Sequence, residues 1–137
     1  MTAPDTTPLT TTDNTTGLTW ENLTEDDGIN CVRHRYTWDN ATAVKIAALN
    51  EANFAGHDDW RLPTLDELLS LVDHGRHNPA CRPEFLPTRS NFYWSSSTDQ
   101  LDLGDAWVVF FLLGLKYAGY KTTGFHVRAV RAVETAR

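Results

Sequence analysis

Cysteine is nearly missing from this 137-residue chain: Cys31 and Cys81 are its only two, and no Cys-x-x-Cys pair exists. That spacing excludes zinc-knuckle and dithiol redox motifs. One disulfide and two buried thiols both remain open readings. Positive charge is also scarce. Twelve Lys and Arg against 18 Asp and Glu leave a net charge of −6, which argues against a nucleic-acid backbone or an anionic membrane as partner. No apolar run approaches the roughly 20 residues of a membrane-spanning helix, so no membrane insertion is expected. No segment starts basic and continues apolar as a signal peptide does. Internal repeats, a His-Glu-x-x-His pair and a Gly-x-Ser-x-Gly elbow are absent as well.

The side chains that could carry chemistry have quieter explanations. His34, His57, His74, His77 and His126 show no metal-ligand spacing, and Gly75 argues against one helix face presenting both His74 and His77. They read as solvated loop residues. Ser95, Ser96 and Ser97 lack a nucleophile's surroundings and are expected to satisfy backbone groups in a buried turn. Asp99, Asp102 and Asp105 could offer oxygens to a structural Ca²⁺, but they do not match an EF-hand loop; a solvated acidic loop is expected. Arg61, following Trp60 into a helix start, is expected to pair with a nearby carboxylate as a framework residue.

What the chain does have is an ordinary globular composition, 41% hydrophobic with five Trp, and one dense apolar run from Ala106 to Leu115. At this size a single domain is expected, residues 13–137, behind a Thr/Pro-rich disordered or extended lead-in at 1–12. Asp13 to Gly17 reads as a turn feeding a strand at Leu18–Trp20, and a polar loop runs through Asp26-Asp27-Gly28. Thr37 can cap a helix from Trp38 to about Glu51, with a stripe of Trp38, Ala41, Val44, Ala48 and Ala52. Thr64 and Glu67 form a capping box for a second helix whose apolar face is Leu65, Leu68, Leu69 and Val72. Residues 74–92, with three prolines, read as a long loop over the core. Short strands follow at 92–94, 106–112, about 115–119 and 125–133, giving an α+β domain. Within the apolar run, strand alternation puts Trp107, Val109 and Phe111 on one face and Val108, Phe110 and Leu112 on the other. Either both faces are buried or one is a sticky surface; the sticky surface is the expectation.

Several ordered motifs carry a family resemblance: Asp13-Asn14-Thr15-Thr16-Gly17-Leu18-Thr19-Trp20, Tyr36-Thr37-Trp38-Asp39-Asn40-Ala41, and Asp59-Trp60-Arg61-Leu62-Pro63-Thr64 with Glu67-Leu68. Tyr93-Trp94-Ser95-Ser96-Ser97, Ala106-Trp107 and Val127-Arg128-Ala129-Val130-Arg131 complete the set. Together they resemble the Lcl C-terminal domain family over about residues 13–132. The resemblance implies a C-type-lectin-like domain of the formylglycine-generating-enzyme branch, with two helices and small twisted antiparallel sheets. It also implies a bacterial or phage surface or adhesin setting, surface-exposed or extracellular. Some members bind sulfated polysaccharides; the acidity of this chain argues against a polyanion, and Glu-Pro-Asn and Trp-Asn-Asp sugar motifs are absent.

A narrower resemblance is to variable proteins diversified by retroelements that rewrite adenines in a template copy. It implies a framework of Trp60, Arg61, Trp94, Trp107 and Arg128, joined by Val109, Phe111, Gly114, Lys121, Val127, Ala129, Val130 and Arg131. Lys116 stands where the pattern has Val. The ligand-binding positions it implies are Val108, Phe110, Leu112, Leu113, Leu115 and Tyr117, followed by Ala118, Gly119 and Tyr120, then Thr122, Thr123, Gly124 and Phe125. Changing the first two bases of an Asn codon never yields Lys, Glu, Gln, Met or Trp, and none occurs at these positions. The resulting expectation is a non-enzymatic, receptor- or adhesin-like binding domain without cofactor, taking a protein ligand, with carbohydrate as an alternative through Tyr or Phe stacking. Burial of the same surface in a homo-oligomer is the structural alternative. A metal-dependent oxidase, known on the wider fold, lacks the cysteine or histidine clusters it would need.

Overall fold

The computed structural model describes residues 9–25, 28–85 and 88–132. Residues 1–8 of the lead-in, Asp26 and Asp27 of the polar loop, Pro87 and Val133 lie outside the described residues. The architecture is α+β: two three-stranded antiparallel sheets, one long helix and one five-residue helix. The first turn forms as its residue types predict. Asp13 Oδ1 accepts the Thr15 N–H at 3.0 Å, and Gly17 adopts φ +73°, open to glycine at no steric cost. The turn joins β1 (Thr10–Asp13) to β2 (Leu18–Glu21), so residues 10–12 form an edge strand. Their β-branched threonines suit a pleated surface, and Thr12 and Thr19 hydroxyls meet across it at 2.9 Å.

The long helix starts at Thr37, whose side chain accepts the Asn40 N–H, and runs through Trp38–Asn40, a π-helical Ala41–Ile46 and Ala47–Glu51. The π segment corrects the expected stripe. Across and beyond it Ala41, Lys45, Ile46 and Leu49 are buried, while Val44 and Ala52 face solvent. The short helix, Leu65–Leu69, has the predicted capping box: Thr64 Oγ1 accepts the Glu67 N–H and Glu67 accepts the Thr64 N–H. Glu67 also takes a bidentate pair from Arg61 at 2.7 and 2.8 Å. That guanidinium is the main reason the Glu67 carboxyl titrates below its ordinary range. The loop after this helix packs over the core through Ala80, Cys81 and Phe85, all buried. Both cysteines are buried free thiols.

The second sheet has the order β3-β4-β5: β3 is Phe92–Thr98, β4 Asp105–Phe110 and β5 Leu115–Tyr120. Gly114 closes the β4–β5 turn at φ +75°, where a Cβ would lie 2.6 Å from Val72 Cγ1. The expected strand over 125–133 is a strand, β6, only at Val130–Ala132, beside β2. Before that the segment crosses from one sheet to the other and pairs residue by residue. Phe125 bridges Tyr36, and His126 is bound on both sides by Phe92 and Trp94 of β3. Two cores result. One gathers Trp20, Leu68, Leu71, Phe85, Val109 and Phe111; the other gathers Ala41, Ile46, Leu49, Trp60, Trp94 and Val108.

A buried ionic network ties these parts together. Glu21, Lys45 and Arg128 are almost wholly removed from solvent. Lys45 Nζ donates to Glu21 Oε2 at 2.5 Å, and the other Glu21 oxygen accepts the Ala129 N–H at 3.0 Å. Arg128 spends its donors on Glu21 O, Phe85 O, Thr88 Oγ1 and Asn22 Oδ1.

Two stability predictions follow from these pairs. Lys45→Met leaves the Glu21 carboxylate buried without its cation, and should cost about 3–5 kcal/mol in denaturant unfolding. Asp13, buried and held by Arg82 at 2.8 Å, also titrates below its ordinary range, chiefly because of that hydrogen bond. A depressed folded-state pKa means its stabilisation is full above the unfolded value near 4 and is lost as pH falls through the lower folded value. Thermal melts should therefore drop steeply below pH 4, and Asp13→Asn should flatten that slope while lowering the melting temperature at pH 7.

Candidate functional site

The central strand of the second sheet decides which residues can form a surface. Ala106 and Val108 point into one core, Val109 and Phe111 into the other, so β4 is buried on both faces. This corrects the expected split. Val108 is 1% exposed and displays nothing. The reason is position in the sheet: β4 lies between β3 and β5, with the long helix over one side and the short helix over the other.

The exposed surface belongs to β5 and the turns at its ends. Directly opposed residues of an antiparallel pair share a face. Leu115, Tyr117 and Gly119 therefore lie with Phe110, Val108 and Ala106; Lys116, Ala118 and Tyr120 lie with Val109, Trp107 and Asp105. On the first side an aromatic group forms. Phe110 stacks on Phe92 at 4.4 Å, and Tyr117 sits edge-on to Phe92 at 5.9 Å. Phe125 reaches Phe92 at 5.2 Å and the buried Trp94 at 4.8 Å. Phe110 and Phe125 are half-buried, while Leu115 and Tyr117 are exposed. On the second side Tyr120 is 71% exposed and Lys116 Nζ lies 5.1 Å over the half-buried Trp107 ring. Leu113, Thr122 and Thr123 are exposed in the flanking turns, with Leu112 and Gly124 half-buried.

Gly119 is the second correction. It is buried, and a Cβ there would lie 2.7 Å from Phe125 Cε2 and 3.2 Å from Val108 Cγ1. It makes room for the Phe125 ring and offers no side chain to a ligand. Of the expected thirteen positions the structure thus brings eleven to the surface or its margin, on two sides of one edge strand. Phe92 joins them through its stacking, a role that strand patterning alone does not reveal. Leu101, 98% exposed, and Leu103 project from the turn between β3 and β4; the polar character of that loop concealed them.

The framework residues hold this surface from behind. Trp60 and Trp94 are buried, their indoles donating to Phe54 O and Tyr36 O. Arg61 is half-buried on Glu67, and Arg128 is fully buried in the ionic network. Ser95 is buried and donates to Trp107 O at 2.7 Å, as expected of a structural hydroxyl. Asp99 and Asp102 accept the N–H groups of Leu101 and Gly104 within their own loop. Among the described residues no three His, Cys, Asp or Glu side chains gather to hold a metal ion.

His126 differs from the expected solvated loop residue. It is buried, its Nδ1 lies 3.0 Å from His34 O, and burial is the main cause that holds its pKa below the ordinary imidazole value. Among the described residues no helix is long and apolar enough to cross a membrane.

Comparison with known proteins agrees with the motifs. The family model of the Lcl C-terminal domain matches residues 9–131, spanning both sheets. No curated protein matches the chain.

The Gly119–Phe125 contact predicts coupled substitutions. Gly119→Ala should destabilise the fold by about 1–3 kcal/mol through overpacking. Adding Phe125→Leu should cost less than the two single changes summed, read in a double-mutant cycle of urea melts.

Proposed function

The chain belongs to the Lcl C-terminal domain family, and from that premise we propose that it is a ligand-binding, adhesin- or receptor-like module that works by recognition rather than catalysis. Its fold is the C-type-lectin-like one, a reading supported by two small sheets and by N- and C-terminal strands that share one of them. The observation that carries the function is the contrast across the β4–β5 hairpin. A strand buried on both faces supports an edge strand whose Leu115, Tyr117 and Tyr120 side chains stand in solvent.

Aromatic side chains of this kind dominate protein interfaces, because a large rigid ring buries much area for little lost entropy. Large apolar side chains exposed along one strand, as Leu115, Tyr117 and Tyr120 are, support a partner surface. The ligand is a protein, engaged through Phe110, Leu115, Tyr117 and Tyr120, with Leu113, Thr122 and Thr123 at the margin. The module acts at an exposed or extracellular surface. Its contact residues are diversified by a retroelement, a reading supported by the exposure of Leu113, Leu115, Tyr117, Ala118, Tyr120, Thr122 and Thr123. Val108 and Gly119 belong with the scaffold.

The reading is tested by the gene and by a library. Codons at the eleven surface positions should end in C or T; purine endings at several would remove diversification. Randomising 113, 115, 117, 118, 120, 122 and 123 with such codons should leave most variants melting within a few degrees of the parent. The same treatment of 108 and 119 should leave few folded. Selection of the surface library on immobilised target proteins should yield binders that Tyr117→Ala weakens by about tenfold or more, the scale of an aromatic hot spot. Failure to recover any binder would overturn the function.

A further inference from the structure

We infer that the aromatic surface has a cationic neighbour built to receive an acidic side chain of the protein ligand; this rests on the binding reading above. A cleft of about 290 Å³ is lined by Arg33, Arg35, Arg89, Asn91 and His126. It adjoins the aromatic group at two points. Asn91 precedes Phe92, and its carbonyl accepts the Phe111 N–H at 2.9 Å, which fixes it against the end of β4. On the other side a Cβ at Gly124 would lie 3.7 Å from Arg35 Cβ, so Arg35 stands beside the backbone that leads into Phe125.

The cleft walls are held by the fold. Tyr93, buried, accepts the Arg89 N–H on its hydroxyl at 2.9 Å. Tyr36, next to Arg35, exchanges backbone hydrogen bonds with Phe125 at 2.8 and 2.9 Å. The guanidiniums themselves reach solvent.

A carboxylate of the chain already reaches two of these guanidiniums from beside the cleft. Glu25 Oε2 lies 3.7 Å from Arg33 Nη1 and 3.5 Å from Arg89 Nη2, with all three side chains substantially exposed. Such long, solvated pairs contribute little to folding. Glu25 thus marks the chemistry the cleft takes, and it leaves Arg35 with no carboxylate partner among the described residues. A ligand carboxylate entering between Arg35 and Arg89 would gain charge-assisted, forked hydrogen bonds. Desolvation beneath the adjoining aromatic contact would strengthen them.

Charge arithmetic favours a single acidic side chain over a polyanion. Arg33, Arg35 and Arg89 gather along the cleft, while the chain as a whole carries −6. A sulfated polysaccharide would lay charge after charge along an acidic surface. One Asp or Glu, flanked by an apolar residue for the ring group, meets only the local positive field.

The probe is a phage-displayed random dodecapeptide library panned on the full chain. Selected peptides should carry Asp or Glu next to an aromatic or aliphatic residue. Their affinity should fall by about tenfold or more on Arg35→Gln or Arg89→Gln, in line with a lost charge-assisted hydrogen bond. Arg35→Lys should keep part of it, and higher salt should weaken it. Both arginines are exposed, and circular dichroism checks that the variants fold. Selected peptides without acidic residues, sensitive to Tyr117→Ala but indifferent to Arg35→Gln, overturn the cleft and leave the binding surface standing. Peptides insensitive to both changes, or no enrichment at all, overturn both. Heparin that binds through Arg35 and Arg89 more tightly than every selected peptide assigns the cleft to a polysaccharide and overturns the inference.

Discussion

Everything in this molecule depends on one buried carboxylate. Glu21 brings a carboxyl group into the protein interior, a cost that only matched partners offset. Lys45 supplies the countercharge from the long helix and Ala129 an amide from the C-terminal segment, while Arg128 is bound to the Glu21 carbonyl. Three parts of the chain distant in sequence are thereby fixed at one point. A hydrophobic core tolerates sliding and repacking, but directional hydrogen bonds to a buried ion do not. The network therefore sets where the segment from Phe125 to Ala132 must run.

That fixed segment is the floor on which the surface stands. It pairs with Tyr36, with β3 and with Arg61 before it enters the first sheet. Its rigidity releases β5 from a structural task. Buried and exposed side chains are separated by strand, not by the alternation of one strand's two faces. β4 spends both faces on packing, and β5 is left with one buried residue, Gly119.

The legibility of the sequence followed the range of the interactions. The capping box at Thr64 and Glu67 and the turn at Asp13 to Gly17 are decided within a few residues, and both could be read directly. The Lcl C-terminal motifs, which the family match bears out, are short and ordered in the same way. The helix from Trp38 was legible as a helix, but its π segment was not. Nor was the face it buries: Lys45 turns inward to Glu21, a partner that lies elsewhere in the chain. The burial of Val108 and Gly119 was hidden for a related reason. Alternation reveals that a strand has two faces, not whether helices cover both. Arg35 and Arg89 carry no spacing signal, because they converge only through the fold.

Among the described residues no strand pairs with the far side of β5, which has a consequence for how this protein keeps company with itself. An unpaired strand edge is a template on which a second strand can hydrogen-bond, and apolar side chains on it make the invitation stronger. Lys116 is the second residue of this strand, with its cation resting near Trp107. Every copy presents the same charge there. Two such edges approaching each other bring like charges together before their backbones can zip. The lysine thus opposes self-pairing along this edge, beside the exposed Leu115, Tyr117 and Tyr120.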